Sequence, residues 1–194
     1  MNMVDTNSGG RPMNSEAGPA LLQAARELVA EYGYEKVSMQ MIADHAGVGR
    51  QTAYRRWPSK AELVLEAFVA KADRLSAVEQ GPVVEMLERF LQQIFHGLEK
   101  DGLAVRSLIA SAQGDPAFRE TFYERFIKPR DQVLARILKQ GVDQGELPAS
   151  MDLDRMVEMI HGAFWYRLLL GRDLDERYAK QLAAMALGYH SGAR

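Results

Sequence analysis

The chain has 194 residues, 47% of them hydrophobic and 26% charged, with a formal net charge of −2 at pH 7. That composition fits an ordinary globular protein and argues against binding polyanions over the whole surface. The absence of Cys excludes disulfides and thiolate metal sites, and the densest apolar stretch, 163–170, is interrupted by Arg167 and too short to span a bilayer.

Residues 1–17 are polar, rich in Asn, Ser and Gly, and lack periodicity, so a disordered leader and a cytoplasmic location are expected. Gly18-Pro19 then offers a helix start, with Pro at the first helical position. Leu21, Leu22, Ala25, Leu28, Val29 and Tyr32 follow helical spacing, and Gly33 stops the run. Ser38 is placed to cap a second helix carrying Ile42 and the small Ala43 on its inner edge. Gly47 falls where the chain must turn sharply, and Val48 plugs the corner.

The next segment carries Arg50, Gln51, Thr52, Tyr54, Arg55, Arg56 and Lys60. Between positions 49 and 60 there are four cations and no acid. A short helix bearing such side chains after a tight turn reads as a helix-turn-helix with its recognition helix. The basic character is local, because residues 1–66 hold seven cations against eight acids. Discrete phosphate contacts by one element follow from that distribution. Pro58 breaks the recognition helix, and Ser59 with Glu62 forms a capping box for a fourth helix through Phe68.

Gly81-Pro82 marks the next break. Val84, Leu87, Leu91, Ile94 and Phe95 predict a helix to about Leu98, and a shorter one is expected over 103–112. Asp115-Pro116 opens another, with Phe118, Phe122 and Phe126 along one face, and Pro129 should kink or break it near Lys128. Apolar periodicity continues to Gly141 or Gly145. Asp152 caps a helix to Leu170, and Asp175 caps a last one to about Tyr189. No strand pattern of useful length and no long repeat is visible. The expected fold is all-α, with a leader at 1–17, an N-terminal three-helix helix-turn-helix domain at 18–68 and a C-terminal helical bundle at 82–190.

The first 68 or so residues resemble the DNA-binding domain of the tetracycline-repressor (TetR) family. Ala24-Ala25, the 31–34 exit of the first helix, Ser38 ahead of Ile42-Ala43, Ala46-Gly47-Val48 and the 54–60 segment carry the likeness. The remainder is similar in helix count and length, with Gly145-Glu146-Leu147 and Tyr166-Arg167 typical of one large subgroup. The resemblance implies a homodimeric transcriptional regulator, most often a repressor, that binds a double-stranded DNA operator and releases it on binding a small effector. Thr52 and Tyr54 then match base-edge and phosphate contacts, Arg56 a phosphate contact, and Lys60 a residue facing the backbone. Arg50 and Gln51 fall at the variable front of the recognition helix, suited to guanine and adenine respectively. Ser38 and Arg55 complete the expected DNA contacts. Gly49 stands where the family usually has a Ser cap, Ala53 is smaller than the usual Leu or Ile, and the leader offers only Arg11 as a minor-groove arm.

Apolar residues on the last two helices extend beyond one stripe: Met156, Val157, Ile160, Ala163, Phe164 and Leu168, then Leu182, Ala183, Met185 and Ala186. A homodimer through 152–170 and 175–189 is therefore expected. Phe90, Phe95, Phe118, Phe122, Phe126 and Trp165 are the candidate lining of a pocket for an apolar or amphipathic effector, with Tyr123, Gln113, His96 and His161 as orienting polar groups. Glu158 and His161 have the spacing used in di-metal bundles, but no second copy exists, so no metal or other cofactor is expected. The alternative is a helical-bundle small-molecule binder or enzyme with an incidental helix-turn-helix. No nucleophile motif or phosphate loop supports catalysis.

Overall fold

A computed structural model describes residues 16–72 and 80–188, which form nine α-helices and, among those residues, no strand. Residues 1–15 of the expected leader, Arg11 included, and Tyr189 at the expected end of the last helix lie outside the described residues. Helix α1 spans Ala17–Tyr32. It begins before Gly18-Pro19, so Pro19 sits within the first turn, where backbone N–H groups have no intrahelical acceptor to lose. Gly33, at φ 81°, ends it.

A 3-10 turn at Tyr34–Lys36 leads to α2 (Met39–His45), whose N-cap Ser38 accepts a hydrogen bond from the Met41 N–H at 3.2 Å. Gly47 adopts φ 64°, a left-handed turn that L side chains rarely take, and the Val48 N–H returns to the Ala43 carbonyl at 2.9 Å. The next helix, α3 (Arg50–Arg56), starts from Gly49 with no side-chain cap. Ala53 and Ile42 are both fully buried, so the smaller side chain leaves no solvent path at the crossing. Ser59 then caps α4 (Lys60–Ala72), accepting from the Glu62 N–H at 3.1 Å and donating to its carboxylate at 3.2 Å.

Helix α5 (Val83–Gly114) runs unbroken for 32 residues, where two helices separated after Leu98 were expected. Gly97 and Gly102 each weaken a helix by roughly 0.5–1 kcal/mol relative to Ala. That is too little to interrupt a helix buried on both sides of them, with Leu91 and Phe95 before and Val105 and Leu108 after. At 1.5 Å per residue α5 is about 48 Å long.

Asp115 caps α6 (Pro116–Phe122) through the Phe118 N–H. Of the kink or break expected near Lys128, no break occurs, but the helix is irregular there. A π-helical turn, Tyr123–Ile127, runs directly into α7 (Lys128–Asp143), with Pro129 in its first turn. Widening the preceding turn relieves the contact between the proline ring and the carbonyl four residues back. Gly145, at φ 74°, follows α7. Asp152 and Asp175 cap α8 (Leu153–Leu169) and α9 (Glu176–Ala186) as the sequence implied.

Two buried clusters result. One joins α1 to α4 with the C-terminal half of α5 and the Phe118, Phe122 and Phe126 row; the other joins the N-terminal half of α5 with α7, α8 and α9. Leu98, Trp165 and Leu174 pack against both. Much of the stripe expected to form a dimer face is internal: Val157, Ile160, Phe164, Leu168, Leu182 and Ala183 all lie in these cores. Helices α5 and α7 cover those of α8, and α5 and α8 those of α9, within one chain. The exposed apolar residues of α8 and α9 are Met159, Tyr166, Leu169, Leu170 and Met185.

Gly141 on α7 lies so close to Val83 and Leu147 that a Cβ would stand 2.7 Å from Val83 Cγ2. Gly141→Ala should destabilise the protein by about 1–3 kcal/mol through overpacking. At Gly97 a Cβ meets nothing within 4 Å, and Ala should stabilise by roughly 0.5–1 kcal/mol. Urea unfolding should give opposite signs for the two variants; a shared sign contradicts this packing.

Candidate nucleic-acid interface and an adjoining cavity

Helix α3 sorts its residues by face. Ala53 and Trp57, four apart, are buried, while Arg50, Gln51, Tyr54 and Arg55 are exposed together on the opposite side. Thr52 is half-buried, and Ser38 is exposed at the start of α2. The Arg50 guanidinium lies 5.2 Å from the Tyr54 ring centroid and donates to the Tyr54 hydroxyl at 3.4 Å. The two therefore form one platform. Such a face, with no acid on α3, presents cations and hydrogen-bonding side chains to a polyanion.

Two of the expected contacts also touch the protein itself: Lys60, half-buried, and Arg56, which stays exposed. Lys60 donates to the Tyr34 carbonyl at 2.9 Å, with its ammonium 4.0 Å from the Tyr34 ring centroid, and burial lowers its pKa from the ordinary value. The Arg56 guanidinium lies against Gly18 at the start of α1, and a Cβ there would displace it. It also approaches the Trp57 ring at 5.7 Å.

Trp57 ties α3 to the rest of the molecule. Its indole N–H donates to Glu66 Oε2 on α4 at 3.0 Å, and the Arg125 guanidinium reaches the same oxygen at 3.1 Å from the π-helical turn. The next two residues of that turn, Phe126 and Ile127, line a cavity of about 370 Å³ between α4, α5, the π turn and α8. Phe68 of α4, Ile94, Leu98, Val105, Phe164, Trp165 and Leu168 supply most of its apolar wall. Gln93, His96, Lys100, Asp101, Arg130 and His161 supply its polar part. A second, more open cavity of about 500 Å³ lies beside it, and Ile127, His161 and Trp165 belong to both walls.

Of the six expected lining residues, Phe126 and Trp165 line the first cavity, and Phe122 joins Trp165 in the second. Phe90, Phe95 and Phe118 are core residues and line neither. Phe95 is instead stacked on Tyr178 at 5.9 Å and set edge-on to Phe164 at 5.6 Å. All four expected orienting groups line one cavity or the other: His96 the first, Gln113 and Tyr123 the second, His161 both. Phe68 was missed because its heptad-like position on α4 gives no sign of which helix it faces.

His161 is strongly perturbed. Burial pushes its pKa from 6.5 down to about 4, with the nearby Arg130 adding to that and the Val157 carbonyl pulling the other way. Its Nδ1 lies 3.1 Å from Asp131 Oδ1, out of line for a hydrogen bond. Glu158, its partner in the Glu-x-x-His spacing, pairs instead with Arg155 at 3.0 Å.

Comparison with known proteins covers both the helix-turn-helix and the C-terminal helices. The family model described as "Bacterial regulatory proteins, tetR family" matches residues 21–67, and "Tetracyclin repressor-like, C-terminal domain" matches residues 77–186. The HTH-type transcriptional regulator YdeS of Bacillus subtilis is 30% identical over 180 residues, covering 91% of each chain. The DNA-binding transcriptional repressor TetR of Mycobacteroides abscessus is 28% identical, covering 84% of this chain and 87% of its own. The crystal structure of the TetR family transcription regulator SCO0332 superposes with a TM-score of 0.75 at 25% identity, over 91% of this chain and 100% of that one.

An unfolded His161 takes up its proton near its ordinary 6.5, the folded one only near 4. Between those values the unfolded state holds more protons, so stability falls as pH falls, by at most about 1.4 kcal/mol per pH unit from this group. Asp131, whose pKa burial raises, works the opposite way at the acid end. Urea unfolding at about pH 7 and about pH 5 should show this loss in the wild type and a smaller one in His161→Phe. An equal loss in both contradicts the assignment.

Proposed function

The chain belongs to the tetracycline-repressor family, whose members are transcription factors rather than enzymes, and from that membership we propose that it is a homodimeric repressor released from its operator by a small, largely apolar molecule. As a family member it is a DNA-binding transcriptional regulator. The sign of regulation, the dimer face and the effector are the proposed parts.

One observation carries the ligand half of this reading. Phe68 stands in the wall of the 370 Å³ cavity while belonging to α4, the helix that starts four residues after the recognition helix ends. A molecule in that cavity touches the reading head directly. The Trp57–Glu66–Arg125 contacts supply a second route, because Arg125 lies on the same turn as the cavity residues Phe126 and Ile127. Two heads on a twofold dimer must match successive major grooves roughly 34–36 Å apart, so a small tilt of α4 in each protomer spoils both contacts at once.

Arg50 and Gln51 are assigned to base edges, and Tyr54, Arg55 and Arg56 to phosphates. Arg50→Ala and Gln51→Ala should each cost about 1–3 kcal/mol on the selected operator and relax specificity at one or two base pairs. Arg55→Ala and Arg56→Ala should weaken all sequences alike, each reducing the salt slope by about one. Fluorescence anisotropy with an operator selected from genomic duplex DNA measures both effects. Identical, sequence-blind losses in all four variants contradict the division of labour.

The dimer face is assigned to Met159, Gly162, Ala163, Tyr166 and Leu170, one stripe of α8, with Met185 of α9. Met159, Tyr166, Leu170 and Met185 are each at least half exposed, and a Cβ at Gly162 meets nothing within 4 Å. Small residues between large ones let helices of two protomers approach closely. Met159→Arg combined with Met185→Arg should give folded monomers that lose operator binding. Sedimentation showing an unchanged dimer moves the interface elsewhere. Arg at Ala183 serves this test poorly, since that side chain is fully buried in its own subunit.

A further inference from the structure

His161 has no task in the reading above. Its side chain is 12% exposed and forms part of the wall common to both cavities. Nδ1 lies 3.1 Å from Asp131 Oδ1 and near the Val157 carbonyl, whereas Nε2 is buried with no polar partner among the described residues. Its surroundings are aromatic, with the Phe164 ring centroid at 5.2 Å and Trp165 in the same walls. An apolar ring would fill this space without burying an unpaired Nε2, so an imidazole here is explained by a partner for that atom that comes from outside the chain.

The neighbouring charges define that partner. Each cavity carries both signs of charge: Lys100, Asp101 and Arg130 line the first, and Arg119, Asp131 and Glu158 the second, with Glu158 tied to Arg155. A charged ligand meets like as well as opposite charge there and still bears the cost of leaving water. Asp131 Oδ1, 3.1 Å from Nδ1, draws the ring proton to Nδ1. Nε2 then offers a lone pair and calls for a donor. The imidazole is uncharged near neutral pH because burial holds its pKa at about 4.

We infer that His161 selects uncharged ring compounds bearing a hydroxyl group, whose O–H donates to Nε2 while the apolar body lies against Phe126 and Trp165. A small rotation about χ2, a soft torsion in His, opens the buried Nε2 to the incoming group while Nδ1 stays beside Asp131. The inference rests on the effector cavity proposed above and adds the chemistry of its occupant.

The test uses the intact dimer and four two-ring probes: naphthalene, 2-naphthol, 2-methoxynaphthalene and 2-naphthoate. Calorimetric titration should show 2-naphthol binding roughly threefold to tenfold tighter than naphthalene and 2-methoxynaphthalene, with 2-naphthoate the weakest. His161→Phe should bring 2-naphthol level with naphthalene, and His161→Gln, which keeps an acceptor, should restore part of the preference. The inference is overturned if the methoxy ether matches the naphthol, if the carboxylate binds best, or if the preference survives in His161→Phe. In those cases release of operator DNA by naphthalene still upholds the cavity as an effector site. Absence of binding by all four probes overturns both readings together.

Discussion

The continuity of α5 is the constraint on which the rest of the molecule depends. Its N-terminal half is buried against α7, α8 and α9, its C-terminal half against α1, α4 and the phenylalanine row of α6 and the π turn. A helix of about 48 Å shared between two cores cannot tilt against one without disturbing the other. The cavity lies at the middle of that helix, from Gln93 to Val105, where the two cores meet. Gly97 is among its lining residues, and a Cβ there would find no neighbour. Missing side-chain volume at the junction of two well-filled cores leaves the space that a ligand can occupy.

Across that junction the reading head is held by contacts of unequal strength. The Glu66–Arg125 pair is about one-third exposed and is worth on the order of 0–1 kcal/mol. The bond from the buried Trp57 indole to the same carboxylate is harder to forgo, because its donor has no route to water when broken. Glu66 is therefore firmly bound on the recognition-helix side and loosely bound on the cavity side. Lys60 fixes the other end of α4 to Tyr34, whose hydroxyl lies 3.3 Å from Ser111 on α5. Movement of the π turn thus has a route to α3, and α4 is the element that conveys it.

What the sequence disclosed, and what it did not, divides along the range of the interactions. Ser38, Ser59, Asp115, Asp152 and Asp175 were all readable as caps because each accepts from an N–H three residues on, a contact written within one turn. Gly47 was readable because its turn needs positive φ. The union of two helices in α5 was not, since Gly97 and Gly102 look like breaks until the burial of both flanks is known. Pro129 marked the place of the irregularity but not its form, since a π turn is a backbone adjustment with no composition of its own. The surplus of apolar residues on α8 and α9 was real, but periodicity alone did not show which of them face α5 and which face outward. Phe90 and Phe126 likewise carry the same side chain, and only tertiary packing puts one in the core and the other beside a cavity.

The claim that cavity occupancy resets the spacing of two reading heads has a direct measure. The chain contains no Cys, so a single Gln40→Cys on the exposed side of α2 gives one spin label per protomer. Double electron–electron resonance on the dimer, with and without saturating 2-naphthol, reports the distance between the heads. The account predicts a shift of that distribution on loading the cavity, with operator affinity falling in parallel and operator DNA weakening 2-naphthol binding by the same factor. An unchanged distance with 2-naphthol bound would contradict it.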